Sequence, residues 1–451
     1  MKRLIFTEEA TRILNECVKA KAPLETGAFC LLGRGKGIRS TRYMVTKIIN
    51  EPPNAWEAQR PDQLRPSGQW ISAIISDALE QKAGILFIHS HPDPAFPQKL
   101  SQADNIAFVN LAKTIAPMLE GPLAAAIIHP NGWHAVVWEN GTLVQIDRIA
   151  SVGRTFKLLS PLQEAQESLL DDRQKEALGT IHNILQSLSI AIVGCGGIGT
   201  PLAEQLIRAG CGELILIDKD RLDTASNVRR MFGTRVFDLN RTPPVSKVDL
   251  LEEHLSSLGF KIPIRSVSGD VRKEQVYREL LDADIVLSVT DTHGSRAVIN
   301  SLPSSYFLPV IDAGVRVGLK GSSMVALLSE IRILTSSTPC LWCRHTIDGN
   351  TIRLENLPED ELIRQKKEGY VSQSFGDPAP VVVALTVLCS GLIGCALLTL
   401  LSEEGYVSPS GYWFDGFFGD SMTLDPKIPD ATCSCQLNKG KGDLAPPHFT
   451  C

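Results

Sequence analysis

The chain has 451 residues, 43% of them apolar and 21% charged, which suits two or three globular domains rather than one core. A net charge of −5 argues against nucleic acid or an anionic membrane as the main partner. The first residues hold no apolar run with a cleavage site, and eleven cysteines make an odd, scattered set, so a reducing, cytoplasmic setting is expected.

Residues 1–150 alternate short β-rich runs at 28–32, 43–49, 84–89, 124–129 and 133–138 with helical segments at 8–20, 68–80 and 102–117, an α+β pattern punctuated by Gly, Pro and Asn turns. Residues 151–188 are polar and helix-prone without a strand signal, and read as a linker or leading helix. From 189 to 451 the pattern changes. A short apolar strand at 190–193 runs into a glycine cluster and a helix, and further strands at 214–217, 285–289 and 309–312 alternate with helices. That order predicts an α/β domain with a doubly wound, mostly parallel sheet. The apolar stretch 380–401 is interrupted by Ser390 and Gly391 and reads as a buried helix rather than a membrane span.

Chemistry-bearing residues cluster twice. In the first domain His89-Ser90-His91-Pro92 closes a strand and Ser101-Gln102-Ala103-Asp104 opens a helix. Imidazoles two apart on an extended segment share a side and can hold one Zn²⁺, Asp104 can add a carboxylate, and a fourth position stays open for water. Hydrolysis at such a metal also needs a carboxylate base and an oxyanion donor, for which Glu25 and Ser101 are candidates. This set resembles the JAMM (MPN+/JAB) metalloisopeptidases, which cleave ubiquitin-like proteins at their C-terminal glycine. The resemblance covers about residues 1–145. It implies a JAB/MPN (cytidine-deaminase-like) fold, catalytic zinc on His89, His91 and Asp104, Glu25 as base and Ser101 as oxyanion support. Nine residues separate His91 from Ser101, a longer interval than the family's usual one, and a longer rim loop is expected there.

In the second domain Gly194-Cys195-Gly196-Gly197-Ile198-Gly199 follows a strand and starts a helix, letting backbone approach phosphate. Asp218 ends the next strand, placed for a ribose hydroxyl. NAD enzymes share this much. Arg230 and Lys247 supply the cations a triphosphate asks for, and Asp291 is a hard oxygen ligand suited to Mg²⁺. With Asp220 and Asn227, the order Gly-x-Gly-Gly-x-Gly, Asp-x-Asp, Ser-Asn-x-x-Arg, Lys and Thr-Asp resembles the E1/ThiF/MoeB adenylating enzymes over about residues 165–440. The resemblance implies a Rossmann-like ThiF fold that uses ATP and Mg²⁺ to adenylate the C-terminal glycine of a ubiquitin-like or sulfur-carrier protein. Gly196, Gly197, Asp218, Asn227, Arg230, Lys247 and Asp291 would line its nucleotide site. Arg173-Gln174 is similar to the family's Arg-Gln that reaches the partner subunit's site, and so implies a homodimer. An extra residue between Asp218 and Asn227, Met231 in place of Gln and His293 in place of Asn depart from the pattern.

Cys340, Cys343, Cys433 and Cys435 offer four thiolates, for which structural zinc competes with redox or acyl-accepting roles. Cys17, Cys30, Cys195, Cys211, Cys389 and Cys395 read as packing. No cysteine lies between Arg344 and Leu388, where a thioester-forming E1 would carry one. A thiol elsewhere (Cys435 or Cys451), an E2-like partner, or no thioester at all remain open.

Overall fold

The central strands of the N-terminal part form at near-continuous apolar runs, whose successive side chains point to opposite faces and so feed two layers at once. The computed structural model describes residues 1–162, 173–377, 379–402, 411–423 and 428–446. Strands β1 (Lys2–Thr7), β2 (Gly27–Lys36), β3 (Thr41–Ile49), β4 (Trp56–Arg60), β5 (Gln63–Pro66), β6 (Gly84–Ser90), β7 (Leu123–Ile128), β8 (His134–Glu139), β9 (Thr142–Gln145), β10 (Arg148–Val152) and β11 (Phe156–Leu158) form this part. Nine of them make one mixed sheet in the order β11-β10-β1-β3-β2-β6-β7-β8-β9, and β4 and β5 pair as a separate hairpin. Along β2, Ala28, Cys30 and Leu32 join one core cluster with Ala10 and Leu14 of helix Glu8–Lys21. Phe29 and Leu31 point the other way, into a cluster with Trp70, Ile74 and Ala78 of helix Gly68–Glu80 and with Phe108 and Ala112 of helix Gln102–Ile115. The period of two thus buries both faces of the sheet.

Two compact units divide the chain. The first takes in the described residues of Met1–Glu164 together with Ser304–Phe307 and Leu437–Pro446; the second takes the other described residues. Within the first unit the late segment is tied to β2: Asp443 donates its backbone N–H to the Arg34 carbonyl at 2.8 Å, and Lys36 donates to the Asp443 carboxylate at 3.0 Å.

The helical expectation for 151–188 fails at its start. Residues up to Val152 complete β10, and β11 pairs antiparallel with it, so this stretch extends the first sheet. Among the described residues of this stretch, helices appear only at Arg173–Leu178 and Thr180–Ser187. Strand β11 is three residues long with a single buried side chain, too short to show an alternating pattern.

In the second unit, β12 (Ser189–Val193), β13 (Glu213–Asp218), β14 (Ile264–Ser268), β15 (Ile285–Ser288) and β16 (Val310–Lys320) form a parallel sheet in the order β14-β13-β12-β15-β16. It is a Rossmann-like arrangement, with crossovers leaving β12 on opposite sides so that a crevice opens at the carboxyl ends of β12 and β15. The sheet then continues antiparallel through β17 (Ser323–Leu334), β18 (Tyr412–Asp415) and β19 (Asp420–Thr423), an extension the sequence reading did not foresee.

Helix Val383–Leu401 is long and apolar enough to cross a membrane by length and composition alone. It packs against helix Gly199–Ala209, β16 and β17, burying Leu385, Cys389, Ile393 and Leu397, and Gln205 donates to Ser390 Oγ at 2.9 Å. Two cysteines depart from the packing expectation: Cys17 and Cys395 are exposed, whereas Cys30, Cys195, Cys211 and Cys389 are buried.

Candidate functional sites

The first cluster is assembled by strand register. Strand β2 pairs antiparallel with β6 so that Gly27 faces His89. Just beyond the ladder, Thr26 donates to Ser90 Oγ at 3.0 Å and Ser90 donates its N–H to the Thr26 carbonyl at 2.8 Å. Ser90 therefore points away from the two histidines and locks Glu25 opposite them. The hairpin β4–β5 backs Glu25: its N–H donates to the Arg60 carbonyl at 3.0 Å, and Gln59 Nε2 donates to its carbonyl at 3.1 Å. Sequence reading missed Ser90; its place between two candidate ligands on a strand was the available signal.

His89 Nε2 and His91 Nε2 each lie 3.7 Å from Asp104 Oδ2, and His91 Nε2 lies 3.8 Å from Glu25 Oε1. Ligands on a tetrahedral zinc with bonds of roughly 2.0–2.1 Å stand about 3.3 Å apart, close to this spacing. The donor set fits as well. His91 Nδ1 is 2.6 Å from the Pro97 carbonyl, so that nitrogen carries the proton and Nε2 faces the cluster with its lone pair. Burial lowers the His91 pKa, which keeps the ring neutral. Burial works to raise the Asp104 carboxyl, but hydrogen bonding and charge from His89 and contacts with Ser101 hold it well below the usual range. Glu25 is pushed up to about 8 by burial and then by Asp104 and Asp62. A divalent cation at this spot would reverse that shift, because it favours both carboxylates in charged form.

Ser101 has a further local duty. Its hydroxyl accepts from the Asp104 N–H at 3.1 Å while its own N–H donates to Asp104 Oδ2 at 2.9 Å, a capping box that starts helix Gln102–Ile115. The cap aims Asp104 at the histidines.

The second cluster lines a cavity of about 420 Å³ at the carboxyl ends of β12, β13 and β15. Gly194, Gly196, Gly197, Asp218, Asp220, Asn227, Arg230, Lys247 and Asp291 all face it. Gly194 has φ +102°, a conformation that favours glycine, and its N–H donates to the Ile217 carbonyl at 2.9 Å. Gly199 does not line the cavity. A Cβ there would stand 2.0 Å from the Gly194 carbonyl oxygen, so its role is to let the helix approach the turn. Asp218 accepts from the N–H groups of Cys195 at 2.7 Å and Asp220 at 2.8 Å, bracing the glycine turn, and burial raises its pKa. Lys247 is buried at the start of helix Lys247–Ser257 and reaches Asp220 Oδ2 at 2.7 Å. The cavity also takes Arg296 and, from the apolar helix, Thr386, neither of which the motif reading picked out. Arg173 is exposed on helix Arg173–Leu178 and does not line the cavity.

The third cluster gathers all four predicted thiols. Cys340 Sγ lies 3.7 Å from Cys343 Sγ and 3.6 Å from Cys433 Sγ, and Cys343 Sγ lies 3.8 Å from Cys435 Sγ. Zinc–thiolate bonds of about 2.3 Å place tetrahedral sulfurs about 3.8 Å apart, so the set fits zinc and its Cys-x-Cys half is no obstacle. Hydrogen bonding from Cys435 lowers the pKa of the Cys340 thiol, and the same contact raises that of Cys435; a bound cation would favour the thiolate form of all four. Asp430 N–H points to Cys343 Sγ at 3.5 Å and Gln436 Nε2 to Cys435 Sγ at 3.6 Å, donors that stabilise sulfur charge. This placement occupies Cys435 as a candidate ligand. Cys451 lies outside the described residues.

A doubly wound sheet with a glycine turn, a strand-end aspartate and two cations around one crevice defines a Rossmann-like α/β protein. The chain belongs to the ThiF family, which matches residues 174–435. It is 27% identical over 159 residues to the sulfur carrier protein ThiS adenylyltransferase of Bacillus subtilis, covering 35% of this chain and 44% of that protein. Its likeness to the ThiS adenylyltransferase of Escherichia coli is 32% over 164 residues, or 36% of this chain and 61% of that protein. The ubiquitin-like modifier-activating enzyme 5 of Drosophila erecta is 28% identical over 265 residues, covering 55% of this chain and 59% of that protein. The chain thus spans about half the length of the curated relatives it matches. Among solved structures, Escherichia coli MccB with ATP aligns at TM-score 0.44 and 16% identity, covering 59% of this chain and 74% of that one. The family match begins at residue 174, so the reading of the first cluster rests on its own geometry.

Proposed function

We propose that the second unit adenylates the C-terminal glycine of a ubiquitin-like or sulfur-carrier protein, and that the first unit is a zinc hydrolase acting on the same tail. The observation carrying the first half is the convergence of the glycine turn, Asp218, Asn227, Arg230, Lys247 and Asp291 on one cavity in a ThiF-family chain. A glycine carboxylate oxygen attacks the α-phosphorus of ATP, the bond to the β-phosphate bridging oxygen breaks, and pyrophosphate leaves with that electron pair. Glycine-turn N–H groups cradle phosphate, Arg230 and Lys247 offset its growing charge, and Asp291 would hold the Mg²⁺ that travels with ATP. Arg173 would serve a partner copy's site in a homodimer, and Cys340, Cys343, Cys433 and Cys435 would hold structural zinc.

Supporting the second half is the convergence of Glu25, His89, His91 and Asp104 from three separate elements. Zinc on His89, His91 and Asp104 would supply a Lewis acid that acidifies water and polarises a carbonyl. Glu25 takes a proton from the attacking water and returns it to the leaving amine, while Ser101 Oγ–H donates to the oxygen that gains charge. We assign the pair of activities to a cytoplasmic modification or sulfur-transfer system in which one unit trims or releases a tail and the other activates it. Lack of a thiol between Arg344 and Leu388 favours the sulfur-carrier form or transfer to an E2-like partner.

Mass spectrometry of Gly-terminated ubiquitin-like and sulfur-carrier proteins incubated with this protein, ATP and Mg²⁺ tests the reading. An AMP adduct, with ATP–pyrophosphate exchange, is the expected result for the second unit. Removal of a C-terminal extension is expected for the first. NAD binding with no exchange for any such partner refutes the adenylating half, and a His89→Ala protein that still holds full zinc in the first unit refutes the hydrolase half.

A further inference from the structure

The loop at residues 92–100 is exposed over most of its length, yet one of its carbonyls is wedged against a candidate metal ligand. The Pro97 oxygen takes the His91 Nδ1 proton at 2.6 Å and so sets which nitrogen of that ring faces Asp104 and Glu25. Proline has no N–H of its own to anchor this position. The residues on either side are anchored instead. His129, buried at the end of β7, stands with Nε2 at 3.2 Å from the Phe96 carbonyl. Its Nδ1 accepts from the Asn131 N–H at 3.0 Å, so the proton belongs on Nε2 and that nitrogen donates to the loop. On the other side, Gln98 Nε2 donates to the carbonyls of Asn131 and Gly132, both at 3.0 Å.

We propose that Gln98 and His129 are positioning residues for His91: they clamp the loop on both sides of Pro97 to the turn after β7, holding the Pro97 carbonyl on the imidazole and thereby setting the affinity of the site for zinc. The inference rests on the zinc-hydrolase reading above. Its physical content is that a long exposed loop would otherwise sample many conformers, and each excursion of the Pro97 oxygen would free the His91 ring to rotate or change tautomer. The turn at residues 129–132 supplies the partner for each of these contacts, so the cost of ordering the loop is offset by bonds to an element outside it.

The test uses the full-length protein and zinc alone, with affinity measured by competition against a chromophoric chelator. A His89→Ala variant identifies which class of zinc belongs to this site. Gln98→Met, which keeps the side-chain length and removes the donor, should lose about 10- to 100-fold in affinity for that class. The melting of the zinc-free protein should stay where it is, as expected of a positioning role. Gln98→Arg, whose guanidinium can donate to both carbonyls, should recover most of the loss. Wild-type affinity in Gln98→Met, loss that appears only together with a lower melting point of the zinc-free protein, or an arginine variant as weak as the methionine one would each overturn the clamp. If no zinc is lost in His89→Ala, the hydrolase reading falls and takes the clamp with it; if zinc is lost there but Gln98→Met binds normally, only the clamp falls.

Discussion

Replacing Ser90 by alanine should disable the hydrolytic site proposed for the first unit without touching any group proposed to contact metal or substrate. Ser90 is fully buried, and its Oγ accepts the Thr26 N–H at 3.0 Å, immediately beside Glu25. Thr26 is 3% exposed, so alanine leaves a buried donor without that acceptor, a loss of about 1–3 kcal/mol. For a domain of this size each kcal/mol lowers the melting temperature by about 2–4 °C, giving a fall of roughly 2–12 °C. The backbone bond from Ser90 N–H to the Thr26 carbonyl at 2.8 Å remains, so the strands stay paired while Glu25 loses one of its restraints. A general base displaced by about 1 Å costs on the order of 100-fold in rate. Thermal melts of the zinc-loaded protein, and cleavage of a Gly-terminated ubiquitin-like fusion well below the melting temperature, read the two effects separately. A Ser90→Ala protein that melts with the wild type and cleaves at its rate would refute the argument that this bond places Glu25.

Glu25→Gln removes the proposed base while keeping its shape. Hydrolysis should fall about 10²–10⁴-fold with zinc content unchanged, as metal analysis alongside the rate would show. Lys247→Ala should reduce ATP–pyrophosphate exchange about 10²–10³-fold, the scale of losing one charge-stabilising group, while leaving the hydrolysis proposed for the first unit unchanged; exchange at the wild-type rate would remove Lys247 from the phosphate site. Cys343→Ser should lower bound zinc by about one equivalent and reduce the second unit's thermal stability, whereas full zinc content would favour the redox reading of the four thiols.

The second unit was largely legible in the sequence because its chemistry depends on local turns. A glycine cluster after a buried strand, and carboxylates at strand ends, are placed by a few neighbouring residues, and all the predicted nucleotide-site residues except Gly199 face one crevice. The strand-rich start of 151–188 was not legible: β11 is held by antiparallel pairing with β10 and one buried phenylalanine, not by a pattern of its own. In the first unit the sequence by itself nominated the residue types, His89, His91, Asp104 and Glu25. Only tertiary structure decided that they meet, since Glu25 is more than sixty residues from the histidines in the chain and reaches them through the β2–β6 register and Ser90. The same holds for the four thiols. Two are paired by a short turn, but the chain must return across about ninety residues to bring Cys433 and Cys435 within 3.6 and 3.8 Å of the first pair. Local spacing specifies which side of a strand or turn a group faces; long-range pairing, whose free energy comes from the buried sheet, sets which groups share a site.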